Sequence, residues 1–207
     1  MSMVARKGPP EKKSMRAVKP RPIADGPFSS SRWSLLSLLR NNENSRVFRS
    51  LKKPWHMLAS IIVCQLAGII GSIATYPSIP TWYASLNKPW FNPPNWIFGP
   101  VWLLLYTLMG ISAYLVWEKG WEKKEVKQAL YVFAGQLALN SLWSILFFGM
   151  HELLLSSLEI IALDALIFLC IIKFRKISKG ASLLLAPYLL WSSFATLLTF
   201  SVWLMNQ

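Results

Sequence analysis

The sequence predicts an all-α integral membrane protein: a bundle of five transmembrane helices with a structured Trp/Pro-rich loop between helices one and two. Three observations carry this. Of the 207 residues, 54% are hydrophobic, which places the chain among membrane proteins rather than soluble domains. The apolar residues gather in five runs, each close to the roughly 20 residues that cross a bilayer as a helix. Between those runs the positive charges alternate from loop to loop.

Residues 1–53 precede the first run. They hold thirteen Lys/Arg against Glu11, Asp25 and Glu43, a balance of +10 within a chain total of +13. With Pro9, Pro10, Pro20, Pro22, Pro27 and the run Ser29–Ser31, this stretch buries too little apolar surface to order itself. It reads as a basic Pro/Ser-rich disordered tail or targeting segment, and its Arg/Ser-rich, acid-poor composition also fits an organellar transit peptide. Trp33–Leu39 has the make-up of a short interfacial helix. The basic charge is a property of the tail, so attraction to anionic lipid explains it better than nucleic-acid binding does.

The five apolar segments are Met57–Thr75, Ile97–Trp117, Ala129–Met150, Leu153–Ile172 and Ala181–Met205. Backbone groups in lipid must be satisfied internally, so these are helices; nothing alternates with the period of a barrel strand. The second loop carries Lys119, Lys123, Lys124 and Lys127, and the fourth Lys173, Arg175, Lys176 and Lys179. The first loop has only Lys88, and the third none. Five spans under the positive-inside rule give this pattern, with the N-terminus on the cytoplasm-equivalent side and the first loop opposite.

That first loop concentrates Trp82, Trp90, Trp96 and Trp102 around Pro89, Pro93, Pro94 and Pro100. Proline removes backbone donors and fixes φ, so the stretch cannot be one regular helix. Tryptophan joins a large apolar body to one N–H donor and gathers where lipid meets water. The expected result is a stiff aromatic lid over the mouth of the bundle.

Helical spacing supplies a floor for the lid. Gln136, Asn140, Trp143 and Ser144 share one face of the third span, and Tyr188, Trp191, Ala195 and Leu198 one face of the fifth. Trp102, Tyr106 and Met109 do the same in the second. Amides in lipid look into the bundle; for each taken alone, helix–helix glue outweighs ligand contact, and two amides under a tryptophan shift the balance toward a cavity wall. Asp164, mid-span, is costly in lipid and therefore a functional candidate. Glu159 lies about 140° around the helix from it, so the two form no acid/base pair, and a structural pin outweighs a proton relay. Ala67/Gly71, Gly68/Ser72 and Ala134/Ala138 fit small-xxx-small contacts, within one copy or between two.

Cys64 and Cys170 sit inside apolar runs without metal-like spacing, and His56 and His151 lie at span ends. Haem attachment, phosphate-loop and nucleophile-elbow motifs are absent. No cofactor, metal or catalytic residue is expected.

The residues resemble the TspO/MBR family over roughly residues 57–207. The resemblance rests on Trp82-Tyr83, Leu86-Asn87-Lys88-Pro89, Pro93-Pro94 and Phe98-Gly99-Pro100-Val101-Trp102 with Leu105-Tyr106 and Met109-Gly110. It continues through Gln136-Leu137, Asn140, Trp143 and Asp164 to Pro187-Tyr188-Leu189-Leu190-Trp191 and Phe194-Ala195-Thr196. It implies a five-helix bundle, often a homodimer, that binds porphyrins, related tetrapyrroles and benzodiazepine-like drugs under the first loop. The implied pocket residues are Tyr83, Pro93, Trp102, Tyr106, Asn140, Trp143, Trp191 and Ala195. Two departures stand out. Phe200 occupies the aromatic place of the family's sterol-recognition element, and Trp203-Leu204-Met205 supply no base, which weighs against cholesterol as a partner. Thr199 stands where many members have Asn.

Three functional readings follow. The first is a tetrapyrrole-binding receptor or transport protein. The second is light- and oxygen-dependent porphyrin degradation using pocket tryptophans. The third is a membrane scaffold or lipid-interaction protein with a filled bundle.

Overall fold

The computed structural model describes residues 54–207; the basic tail at 1–53, and the expectations attached to it, lie outside the described residues. The regular elements among the described residues are all helices, in the order α1 (Pro54–Ser78), α2 (Trp82–Ser85), α3 (Asn95–Trp117), α4 (Lys124–Ser144), α5 (Leu153–Ile177), α6 (Lys179–Leu184) and α7 (Ala186–Met205). A π-helical turn, Ile145–Gly149, continues α4. Five helical stretches are long and apolar enough to cross a membrane: α1, α3, α4 with its π turn, α5, and α6 with α7.

Several helices outrun the apolar segments. Lys124 and Lys127 belong to the first turn of α4, and Lys173, Arg175 and Lys176 to the end of α5, rather than to loops. Their long aliphatic stems let a helix continue beyond the hydrocarbon while the charge stays in water. The fifth span is not one helix. It breaks at Leu185, two residues before Pro187, which sits near the start of α7 where its missing N–H costs nothing.

Packing orders the bundle as α3, α1, α4, α5 and α7, with α6 against α3 and α5. Gly110 sets the α1–α3 distance, because a Cβ there would lie 2.5 Å from Ile61 Cα. Ser60 Oγ donates to the Gly110 carbonyl at 2.8 Å, and Gln65 Nε2 donates to Thr107 Oγ1 at 3.1 Å. Gly71 brings α1 against Ser144, and Ser141 Oγ donates to the Ala67 carbonyl at 2.9 Å. Ala67, Gly68 and Gly71 of α1 thus serve packing within the chain, whereas Ser72, Ala134 and Ala138 are exposed.

The π turn also has a visible cause and effect. Met150 N–H reaches back to the Ile145 carbonyl at 2.8 Å, widening the helix before the turn at His151, whose φ is +59°. Ser78 Oγ donates to the Phe148 carbonyl at 2.6 Å. Together these bring Phe147 and Phe148 both onto Trp143, one stacked and one edge-on.

Candidate functional site: an aromatic cavity under the first loop

The loop is built as a rigid piece. Trp82–Ser85 forms one helical turn, and Lys88 Nζ caps its end by donating to the carbonyls of Tyr83 (2.7 Å), Leu86 (2.8 Å) and Ala84 (3.3 Å). The same ammonium lies 4.9 Å from the Tyr83 ring centroid. Tyr83 donates its hydroxyl to Asn92 Oδ1 at 2.7 Å, which ties the helical turn to the proline-rich half of the loop. Burial of Tyr83 pushes its phenol above the usual tyrosine range, and the Asn92 hydrogen bond offsets part of that rise.

The loop is held on the bundle at both ends. Trp82 stacks on His151 with ring centroids 4.1 Å apart. At the far end, Asn206 after α7 grips Asn87: its Oδ1 accepts from Asn87 N–H, and its Nδ2 donates to the Asn87 carbonyl, both at 2.9 Å.

Beneath the loop lies a cavity of about 470 Å³ with a mainly apolar, aromatic lining. Tyr83 forms part of its roof. Trp102 and Tyr106 of α3, Trp143 of α4, and Trp191 and Ala195 of α7 line its walls. Phe98 meets the Trp191 ring edge-on at 5.9 Å, and Phe147 stacks on Trp143 at 5.2 Å. Neither the Trp143 nor the Trp191 indole N–H has a hydrogen-bond partner among the described residues, and both are buried. Neither N–H is exposed on the cavity surface, and an unpaired buried donor is costly, so a guest that turns either ring to bring its N–H onto an acceptor recovers that cost.

Two expected residues lie elsewhere. Pro93 shapes the loop and does not line the cavity; its carbonyl accepts from Asn92 Nδ2 at 3.2 Å. Asn140 is 3% exposed and sits one layer behind the wall. Its Oδ1 accepts from the Tyr106 hydroxyl, and its Nδ2 donates to the Tyr188 hydroxyl at 3.0 Å. This amide fixes the orientation of a lining tyrosine from behind. Gln136, one turn away, is fully buried with its Nε2 4.0 Å from the Met109 sulfur. Asp164 also faces a helix partner, accepting from Thr196 Oγ1 at 2.8 Å, as a pin between α5 and α7 would.

The sequence reading missed the contribution of α1. Gln65, Ile69, Ser72 and Tyr76 line the cavity at i, i+4, i+7 and i+11, a helical stripe that periodicity could have revealed. Ile69 and Tyr76, with Trp96 and Leu103 of α3, are also exposed on the outside of the bundle. The cavity therefore opens sideways between α1 and the first half of α3.

The chain matches the sequence profile of the TspO/MBR family over residues 59–204, essentially the whole helical part. It belongs to the TspO/MBR family. Among its relatives is the tryptophan-rich protein TspO of Archaeoglobus fulgidus, 48% identical over 151 residues, covering 72% of this chain and 96% of that protein. The tryptophan-rich protein TspO of Chlorobaculum tepidum is 42% identical over 144 residues, 70% of this chain and 91% of its own. The translocator protein of Ovis aries is 41% identical over 127 residues, 61% and 75% respectively. Each of these alignments exceeds half of this chain, so the TspO/MBR assignment rests on the membrane bundle as a whole.

Proposed function

We propose that this TspO/MBR member binds porphyrins and related tetrapyrroles in the cavity under its first loop, and that benzodiazepine-like aromatic compounds occupy the same space. Family membership supports the coarser statement, a multi-pass membrane protein of receptor or transport type. The observation that carries the finer one is the aromatic lining of the cavity, in which Trp143 and Trp191 each hold a buried indole N–H with no partner among the described residues. A porphyrin is a flat apolar ring with carboxylates on its edge. Its faces suit Trp102, Phe98 and the stacked Trp143–Phe147 pair, and its carboxylates suit the indole donors.

In this reading Tyr83 closes the roof, Ala195 leaves room beside Trp191, and Tyr106 is held in place by Asn140. Pro93 acts through the loop's shape. A hydrogen bond to a charged acceptor contributes about 1.5–3 kcal/mol, so losing one indole donor weakens binding by roughly tenfold or more.

The test is a titration of the detergent-solubilised protein with protoporphyrin IX, followed by quenching of tryptophan fluorescence. Saturable quenching that weakens in Trp191→Phe and Trp143→Phe is the expected result. Unchanged affinity in the double variant, or no saturable quenching in wild type, overturns the proposal.

A further inference from the structure

At the opposite end of the bundle from the first loop lies a second concavity, a cleft of about 540 Å³. Lys119 and Lys123 reach it from the α3–α4 connection, and Lys173 and Lys176 from the last turns of α5; Glu125 is the one acid in its lining. The positive-inside rule accounts for lysines at this end of the spans. It does not account for four of them, from two separate segments, converging on one hollow. Other charges at this end behave differently. Lys127 is engaged by Glu122 at 3.8 Å and lies over the Trp121 ring, while Lys124, Arg175 and Lys179 stay outside the cleft. Four ammonium groups against one carboxylate repel one another, and a bound anion relieves part of that repulsion.

The position of the cleft says which anion. Trp117 ends α3 and Trp121 follows in the connection, the level at which tryptophans mark a membrane surface. Val126 and Ile177 give the cleft an apolar side beside the lysines. A phosphate carried on an acyl-chain lipid meets both surfaces at this depth, whereas a free phosphate uses only the lysines. We propose that this cleft is a binding site for the headgroup of an anionic phospholipid, separate from the aromatic cavity.

The experiment is native mass spectrometry of the full chain, titrated with dioctanoyl phosphatidylglycerol, dioctanoyl phosphatidylcholine or inorganic phosphate. The basic tail is present in every variant, so differences between variants report the cleft. Wild type is expected to retain phosphatidylglycerol over phosphatidylcholine, and Lys119→Gln/Lys173→Gln to lose roughly tenfold or more of that affinity. The control Lys124→Gln/Lys179→Gln removes the same charge outside the cleft and is expected to bind as wild type. Three results overturn the proposal. They are equal loss in the control, no preference between the two lipids, or inorganic phosphate competing as well as the lipid binds. Thermal unfolding of each variant in detergent verifies that the bundle is intact.

Discussion

Asn206 and Asn87 hold each other across 119 residues of sequence, the side chain of one bracketing the backbone N–H and carbonyl of the other. This clasp joins the loop over the cavity to the end of α7, beside a further bond in which Asn87 Nδ2 donates to the Met205 carbonyl at 3.3 Å. Replacing Asn206 with Ala removes both hydrogen bonds at an exposed site, where each contributes about 0.5–1.5 kcal/mol. The expected outcome is a modest fall in thermal stability and a several-fold faster release of bound porphyrin. Stopped-flow dissociation measures the second effect. Release at the wild-type rate would show that the clasp does not restrain the lid.

Asn140 predicts a larger and different effect. In Asn140→Leu the hydroxyl of Tyr106 loses its acceptor and that of Tyr188 its donor, both in the bundle interior. Leaving buried polar groups unpaired costs about 1–3 kcal/mol each, so thermal unfolding in detergent should move down clearly. A Tyr106→Phe/Asn140→Leu/Tyr188→Phe triple variant removes all three polar groups together and should recover much of the loss.

The two tryptophan donors make a prediction about ligand charge. Trp191→Phe keeps an aromatic wall and removes an N–H that has no partner among the described residues. Binding of protoporphyrin IX should weaken by roughly tenfold, while its dimethyl ester, lacking carboxylates, should lose little. Equal losses for both ligands would assign Trp191 to packing alone.

Glycines separate tight contacts from open ones. At Gly110→Ala the new methyl meets the Ile61 backbone at 2.5 Å, and overpacking of this kind costs about 1–3 kcal/mol. At Gly99→Ala the new methyl meets no atom of the described residues within 4 Å beyond its own stretch of helix backbone, and the change within α3 should be neutral or stabilising by up to about 1 kcal/mol. Thermal shifts of the two variants should therefore have opposite sign or clearly different size. At Gly68 the methyl would collide with the Tyr106 ring, so Gly68→Ala should disturb the cavity wall and lower ligand affinity.

Alkaline titration tests the roof. The phenol of Tyr83 is held above its ordinary range by burial, so the folded state keeps its proton where the unfolded chain releases it. Stability from this group is complete below the unfolded pKa of about 10 and is lost as pH rises through the folded value. The stability difference between wild type and Tyr83→Phe should be flat from pH 6 to about 9 and then move against wild type. A flat difference up to pH 11 would place Tyr83 in solvent.

Hydropathy and charge alternation made the five spans readable, and helical spacing brought Trp102, Trp143 and Trp191 to one interior. Those signals depend on period and composition, which a single sequence displays. What they could not display was depth. Asn140 and Trp143 share a face of α4, yet one faces two tyrosines and the other the cavity, because the neighbouring helices set how far each reaches. The π turn was hidden for a related reason: it is met by Ser78 of another helix, whose hydroxyl donates to the Phe148 carbonyl. The α1 wall was legible and overlooked, since Gln65, Ser72 and Tyr76 stand in register. The break at Leu185 was signalled by Pro187.

The sideways opening between α1 and α3 has a consequence for how any guest arrives. Ile69, Tyr76, Trp96 and Leu103 border it and face outward at the depth of membrane-spanning helices. For an apolar guest the reservoir is then the bilayer, where it partitions and diffuses in two dimensions. Apparent affinity, reckoned against total ligand, should scale with the lipid-to-protein ratio, and the same protein would look weak in excess lipid and tight in little.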